Sequence, residues 1–232
     1  MAKAPTISAG PSSSNDGYTV SEDQIASGAV IFDVLANDAK RLPIYSLDNR
    51  DVSDLLNQDQ VNLAEQSQLG NSIWITSDGR VAFGPGLNSS QPQTLALGET
   101  RQDSFIYAVR HPNGSLVWST VQVTITGQND APVARADTGL AIEDALTTGS
   151  VASNDSDVDN GAVLQYAATG PVPAGFAMAG DGSWTFDGSD PAHQGLSDGE
   201  TLQLAIPYAV TDEHGATGRA RSCIATSTTG RS

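Results

Sequence analysis

The stretch "ETLQLAIPYAVTDEHG", residues 200–215, decides the fold. Its apolar side chains recur at every second position, which is the period of a β-strand with one buried face. They are Leu202, Leu204, Ile206, Tyr208 and Val210. A similar stretch, "ETRQDSFIYAVRHPNG", occupies residues 99–114, at an offset of 101, and repeats the pattern through Phe105, Tyr107 and Val109. The chain therefore contains two copies of one β-rich unit.

Shorter matches extend the repeat toward the amino terminus. "SDGRVAF" (77–83) matches "GDGSWTF" (180–186) at an offset of 103, and "AND" (36–38) matches "SND" (153–155) at an offset of 117. Because the offset falls from 117 to 103, the first copy carries a surplus of 14 residues between Asp38 and Asp78. We assign this surplus to residues 49–69, whose low glycine and absent proline favour a short helix or loop over the sandwich flank.

The remaining segments also read as short strands. "VQVTIT" (121–126) alternates, and Trp184 with Phe186 predicts a core position in the second copy. Pro207 cannot donate a backbone hydrogen bond, so its strand is expected to be an edge or to carry a bulge. Strands separated by Gly, Asn and Asp turns at intervals of about ten residues are typical of β-sandwiches.

Charge and missing motifs exclude several functions. The chain has 11 Lys and Arg against 27 Asp and Glu, a net charge of −16, which disfavours nucleic acid and anionic membranes as partners and favours cations. Neither a nucleophile elbow nor a phosphate-binding loop is present, so we predict that the chain is not an enzyme.

The three histidines lack zinc-site spacing and are expected on the surface. The single Cys223 allows no intrachain disulfide, and no apolar run is long enough for membrane insertion by this fragment.

The segment "SNDSDVDNG", residues 153–161, places Asp155, Asp157 and Asp159 at alternate positions. This spacing resembles the start of an EF-hand loop, but Asn160 and Tyr166 stand where that loop needs Gly and a bidentate Glu. Two interpretations stay open for the cluster: oxygen ligands for a hard cation, or solvated turns.

The second copy, from "DGSWTFDGSDPAHQGLSDGETLQLAIPYAVTDEHGAT" onward, resembles the VCBS and cadherin-like tandem repeats of large bacterial surface adhesins of the RTX type, and "NDAPVA" (129–134) resembles the junction between two such repeats. The resemblance implies an all-β fold of two tandem Ig-like/cadherin-like Greek-key β-sandwiches, the first with the short insertion. We expect a disordered tail at residues 1–14, the first sandwich at 15–130, and the second at 131–232 with a ragged C-terminal tail.

The resemblance also implies Ca²⁺ at the joint between the domains. It assigns as metal ligands Glu22 and Glu99 from the first domain, Asn129 and Asp130 from the linker, and Asp155, Asp157, Asp159 and Asp212 from the second domain. The chain departs from the cadherin pattern at Gly127, where cadherins carry an Asp, and at His111, which stands in the place of Asp212.

Two functions from different classes follow from these observations. The first is a calcium-rigidified structural extender of a large cell-surface or secreted bacterial adhesin, supporting adhesion or biofilm formation, with neighbouring repeats of the same parent chain as partners. The alternative is an adhesion module that binds a surface glycan or protein. Both place the chain outside the cell, on the bacterial surface.

Overall fold

In the computed structural model, residues 16–38, 42–48, 65–86, 93–197 and 199–227 are described. The chain divides into two compact units, residues 1–128 and 129–232. The predicted N-terminal tail and residues 49–64 of the predicted insertion lie outside the described residues. Within the described ranges, no helix is long and apolar enough to cross a membrane.

The described residues of the first unit form two four-stranded sheets. Its strands and helix are β1 (Asp16–Ser21), α1 (Glu22–Ser27), β2 (Val30–Phe32), β3 (Ile44–Asp48), β4 (Glu65–Gln66), β5 (Ser72–Ile75), β6 (Val81–Gly84), β7 (Thr100–Arg110) and β8 (Leu116–Thr126). The sheet orders are β1-β8-β7-β3 and β2-β6-β5-β4. Strand β1 runs parallel to β8, and the other described pairs are antiparallel.

The core of the first unit contains the face that the sequence pattern predicts. Phe105, Tyr107 and Val109 of β7 are buried in one apolar cluster with residues of the other sheet. Phe83 of β6 bridges the two sheets: its ring lies 5.6 Å from that of Phe32 and 6.3 Å from that of Phe105, centroid to centroid. Burial of apolar residues from both sheets in one cluster confirms the sandwich.

Helix α1 is a single short turn of helix that the sequence interpretation missed. Ser21 and Gln24 form a capping box, in which Ser21 Oγ accepts from Gln24 N at 3.2 Å and Gln24 Oε1 accepts from Ser21 N at 2.9 Å. The spacing S-x-x-Q was the available signal. Residues 65–69 of the predicted helix or loop instead hold β4 and a turn.

Replacing Ser21 by Ala should destabilise the first unit by about 1 kcal/mol, because the substitution leaves a helix N-terminal amide without its acceptor. Chemical denaturation of the full chain would measure this. The matched variant Gln24→Glu preserves the S-x-x-E box and should change the stability little. Equal stability of Ser21→Ala and the parent would show that the cap does not hold α1.

The second unit repeats the arrangement, with seven strands in its described part. They are β9 (Asp137–Ile142), β10 (Leu146–Ser150), β11 (Gln165–Ala168), β12 (Phe176–Met178), β13 (Ser183–Asp187), β14 (Thr201–Thr211) and β15 (Thr217–Ser227), with a 3-10 turn at Pro191–His193. Their sheet orders are β10-β13-β12 and β11-β14-β15-β9. Ile206, Tyr208, Val210, Trp184 and Phe186 are buried together, which confirms the predicted core positions.

Two local predictions for the second unit are wrong. Strand β14 is interior, and its residue-by-residue pairing with β15 runs through Pro207 without a bulge. The proline is tolerated because β11 ends at Ala168, opposite Tyr208, so no ladder donor is needed there. His193 is buried rather than on the surface: its Nε2 lies 2.9 Å from the carbonyl oxygen of Ala174, and its ring packs on Phe186.

Candidate metal centre

A short backbone bridge brings the start of the second unit to its acidic loop. Val133 and Ser156 exchange two backbone hydrogen bonds, with Val133 N donating to Ser156 O at 2.7 Å and Ser156 N to Val133 O at 3.2 Å. Three residues before Val133, Asp130 N donates to Asp159 Oδ2 at 3.0 Å. The bridge therefore holds the "ND" of residues 129–130 against the loop that carries Asp157 and Asp159.

The acidic loop orients its own side chains through a local turn. Asp159 N donates to Asp157 Oδ1 at 2.9 Å, a bond from a backbone amide to an Asp two residues earlier that is typical of an Asx-turn. Asp159 itself is buried, with 8 % of its surface exposed. One oxygen of each carboxylate is thus fixed by a backbone N–H, which determines where the other oxygen points.

Asp212 joins this cluster from the turn between β14 and β15. Its Oδ1 accepts from His214 N at 2.8 Å and Ala216 N at 2.9 Å, and its Oδ2 accepts from Asn129 Nδ2 at 2.9 Å. The amide of Asn129 therefore points its nitrogen at Asp212, leaving the amide oxygen available. We define the acidic cluster as Asn129, Asp130, Asp157, Asp159 and Asp212.

Buried oxygens in the acidic cluster lack hydrogen-bond donors. Within the described part of the chain, Asn129 Oδ1, Asp157 Oδ2 and Asp159 Oδ1 are buried and have no hydrogen-bond partner. A buried acceptor left in this state costs on the order of 1–3 kcal/mol, and more when it is charged. Among the described residues, these three oxygens are therefore available to a cation.

The carboxylates respond differently to these surroundings. Burial raises the pKa of Asp159, and the nearby charges of Asp157, Asp212 and Glu213 raise it further, against a lowering by the amide of Asp130. Burial also disfavours the ionised form of Asp212, but hydrogen bonds from Asn129 and three backbone amides outweigh it and hold its pKa below the usual range. The ionised form of Asp212 is thus stabilised by its hydrogen bonds, whereas the ionised form of Asp159 would be stabilised by a neighbouring cation.

This donor set fits a hard cation. Every free atom in it is oxygen, from carboxylates or an amide carbonyl, and Ca²⁺ takes six to eight such ligands at about 2.3–2.6 Å. Neither sulfur nor imidazole is among the assigned ligands, which disfavours softer metals. An acidic cluster of this composition could hold a metal ion.

Asp155 lies in a different environment from its neighbours in the loop. Its Oδ1 accepts from Arg135 N at 2.6 Å, and both of its oxygens lie within 3.2 Å of the Tyr208 hydroxyl. That hydroxyl also bonds to Asp137 Oδ2 at 3.0 Å and to the carbonyl of Arg135 at 2.6 Å. The structure brings Asp157 and Asp159 together with Asp212 and directs Asp155 to Tyr208, so a metal-ligating role for Asp155 stays a prediction.

The two candidate ligands of the first unit flank that unit's last residues. Glu22 is buried at the start of α1, where its Oε2 accepts from Leu95 N at 3.2 Å and its Oε1 from Gln128 N at 3.0 Å. Glu99 is exposed; its Oε2 accepts from Ala96 N at 3.1 Å and its backbone carbonyl from Gly127 N at 2.8 Å. Both acids therefore lie beside residues 127–128.

Gly127 departs from the cadherin pattern for a steric reason. A Cβ atom at this position would lie 2.2 Å from the carbonyl oxygen of Ala96 and 2.4 Å from that of Leu95. Both contacts are with backbone, so neither neighbour could move aside cheaply. The close approach excludes an Asp side chain here in the present backbone arrangement.

Sequence interpretation missed one acid near the cluster. Glu213 follows Asp212, and its negative charge raises the pKa of Asp159. Its own pKa is lowered, chiefly by the Val163 amide, which donates to Glu213 Oε2 at 2.8 Å. The signal was its adjacency to Asp212 in "TDEHG", residues 211–215.

Comparisons with known proteins agree with this architecture. Residues 129–228 match the family described as "Bacterial cadherin-like domain". No curated protein matches the sequence at a significant level. Among solved structures, Drosophila N-cadherin EC1-4 is similar with a TM-score of 0.51 and 12% identity over 94% of this chain. Protocadherin Gamma B7 extracellular cadherin domains 1-4 give 0.47 and 14% over 93%, and mouse PcdhgC3 EC1-3 gives 0.45 and 15% over 94%.

The similarity to these solved structures concerns the fold and only part of their length. At 12% identity, the similarity to Drosophila N-cadherin shows the fold alone. The chain spans 49% of the length of each of the first two structures and 67% of the third. The family match over residues 129–228, together with the N-cadherin likeness, supports a cadherin-like repeat. The predicted VCBS and RTX adhesin assignment is narrower than this class.

Proposed function

We propose that the chain is a pair of structural repeats from a large bacterial cell-surface or secreted adhesin of the VCBS or RTX type, supporting adhesion or biofilm formation. Cadherin-like domains form a structural and adhesion class rather than an enzymatic one, and the fold and the match over residues 129–228 support membership of that class. In this proposal, the repeats act outside the cell by holding neighbouring parts of the parent protein at a set distance.

Calcium is the ion that the proposal assigns to the acidic cluster. The observation that carries it is the set of buried oxygens of Asn129, Asp157 and Asp159 that have no donor among the described residues. These oxygens, with Asp130 and Asp212, would hold the ion. Bound Ca²⁺ would supply the positive charge that the crowded carboxylates lack and would fix the linker segment to the loop.

The first unit would contribute further ligands in this proposal. Glu22 and Glu99 already lie beside residues 127–128, which connect directly to Asn129 and Asp130. Ligation by these two acids would couple the calcium charge to the joint between the repeats and restrict its bending. Without calcium, repulsion among the same carboxylates would leave the joint free to bend.

Titration calorimetry of calcium into the metal-free full chain tests the assignment. We expect saturable binding with a Kd of roughly 10⁻⁴–10⁻³ M or tighter, the range of extracellular modules. Asp157→Asn and Asp159→Asn should each weaken binding at least about tenfold, equivalent to about 1.4 kcal/mol. The matched control is Asp144→Asn, which removes the same charge from an exposed turn whose φ of 63° asparagine tolerates.

The outcomes separate the alternatives. Binding unaffected by Asp157→Asn and Asp159→Asn would contradict the site, and binding without a calcium-dependent change in small-angle scattering would contradict the rigidified joint. Loss of binding in Asp155→Asn would support its predicted ligand role, whereas retained binding would leave it to Tyr208. Binding of the fragment to glycans or host proteins would favour the alternative function as a recognition module.

A further inference from the structure

A pair of aspartates surrounds one tyrosine hydroxyl in the first unit, away from the acids considered for calcium. Tyr107 reaches from β7 and its hydroxyl lies 3.0 Å from the carbonyl of Val34 and 3.4 Å from Asp38 Oδ2. Asp16, at the start of the edge strand β1, hydrogen-bonds to the same hydroxyl and to the side chain of Asn37. Three segments of the first unit thus meet at one O–H group.

The Tyr107 hydroxyl has more acceptors around it than it has protons to donate. A tyrosine carries one hydroxyl proton, yet a carbonyl and two carboxyl groups compete for it. Within the described ranges, Asp16 Oδ2 and Asp38 Oδ1 are buried and have no hydrogen-bond partner, and Asp16 exposes only 6 % of its surface. Two ionised carboxylates here would repel each other in a poorly solvated place, so the arrangement requires one more positive charge.

We propose that the Asp16 carboxyl keeps its proton in mildly acidic solution, and that this proton completes the hydrogen bonds fastening β1 to the rest of the first unit. The protonated carboxyl then donates to the partner carboxylate or to the Tyr107 oxygen, which leaves the tyrosine proton for the carbonyl of Val34. The occupant is a proton rather than a metal ion, because the hydroxyl already lies between the acids.

The neighbouring charged groups agree with this assignment. Burial raises the pKa of Asp16, and the charge of Asp38 raises it further, against lowering by hydrogen bonds from Tyr107 and Asn37. The other titratable neighbours are Tyr18, whose pKa rises to about 12, and Asp33, which acts on Tyr18. Among the described residues acting on Asp16, none is cationic.

The sign of the pH effect follows from the raised pKa. A carboxyl that binds its proton more tightly in the folded state gives stability that is complete below its unfolded value, near 3.8, and is lost as the pH rises through the folded value. The first unit should therefore lose stability from this pair as the solution is brought from mildly acidic toward neutral. Most paired carboxylates act in the opposite direction.

The second unit holds the same arrangement around Tyr208, with Asp137 and Asp155. Burial likewise raises the pKa of Asp137. Asp155, however, lies in the same loop as the candidate calcium ligands Asp157 and Asp159. The proposal is therefore confined to the first unit, where neither Asp16 nor Asp38 is a candidate ligand.

Urea unfolding of the full chain in calcium-free buffer tests the proposal. In a Trp184→Phe background the remaining tryptophans, Trp74 and Trp118, lie in the first unit and report its unfolding. We expect the midpoint to fall as the pH rises above about 4, with the unfolding equilibrium constant changing by up to about tenfold per pH unit. Asp16→Asn should abolish this dependence and be at least as stable as the parent at pH about 8.

Controls keep the result interpretable. Asp23→Asn removes the same charge from an exposed position of α1 and should retain the parental pH dependence. Carbon-13 NMR of the unsubstituted chain should show the Asp16 carboxyl titrating clearly above the free aspartate value of about 3.9. That measurement decides the question even where a variant fails to fold.

Three results would overturn the proposal. Completion of the Asp16 titration by pH about 4 would show that this carboxyl does not keep its proton. A loss of stability in Asp16→Asn at mildly acidic and neutral pH alike would show that both charges are needed. Stabilisation of the parent's first unit by added calcium, absent in Asp16→Asn, would place a metal ion between the two acids.

Discussion

Calcium in hundredfold excess over its Kd is expected to raise the melting temperature of the second unit by about 10–20 °C relative to the chelated chain. A ligand that binds only the folded state stabilises it by about 2.7 kcal/mol at that excess. For a unit of about 100 residues, each kcal/mol moves the melting temperature by about 4–8 °C. The physical source is the acidic cluster, whose buried oxygens gain a cation and whose carboxylates cease to repel one another.

Differential scanning calorimetry in excess calcium and in excess chelator measures this shift. Asp159→Asn should lose most of the calcium response, because Asp159 supplies a buried oxygen that no described donor satisfies. Asp144→Asn should keep the response, since its position is an exposed turn. The same melting temperature under both conditions would show that the cluster is a solvated turn, and the proposed extender mechanism would then be wrong.

The fold could be predicted because its determinants are local. Alternation in residues 202–210 and 105–109 depends only on the two-residue period of a strand, and burial of Ile206, Tyr208 and Phe105 confirms the predicted core faces. Strand β7 is not half-buried, however, because Ile106 and Ala108 on its opposite face are buried as well. Because the two copies align, a strand assigned in one copy also predicts the corresponding strand in the other. Helix α1 was not predicted, because its only signal is a capping box of four residues and the sequence on either side has a strand pattern.

The candidate site was predictable only as a set of residue types. Asp155, Asp157 and Asp159 alternate along one loop, and nothing in that spacing separates them. The separation comes from tertiary contacts: Tyr208, 53 residues away along the chain, binds Asp155, whereas Asp130, 29 residues away, binds Asp159. The bridge between Val133 and Ser156 determines which partner each carboxylate faces. This pairing has no pattern in the sequence that could predict it.

Burial of His193 and the interior place of β14 were missed for a related reason. A histidine beside Pro and Ala has no periodicity that could indicate burial, and its position is set by the ring of Phe186. Pro207 was interpreted from its missing donor alone. Its tolerance depends on where the neighbouring strand ends, and strand ends are not encoded at the proline itself.

Phe186→Ala should destabilise the second unit by about 3–5 kcal/mol, because truncating a fully buried phenylalanine removes its transfer free energy and leaves a cavity. Phe186 is 0 % exposed in that unit's own apolar cluster and packs on His193 at 4.9 Å between ring centroids. The melting temperature of the second unit should therefore fall by more than about 10 °C. Thr185→Ala, next to it and exposed, should stay within about 0.5 kcal/mol of the parent.

The same variant tests whether the two copies are independent domains, which the repeat and their separate cores predict. Calorimetry of the full chain should resolve two transitions, with Phe186→Ala lowering one and Phe83→Ala, in the core of the first unit, lowering the other. Chains divided near residue 130 should then fold separately. A single transition that both substitutions lower equally would show one cooperative unit, and calcium could not then act by fixing a joint between two folded repeats.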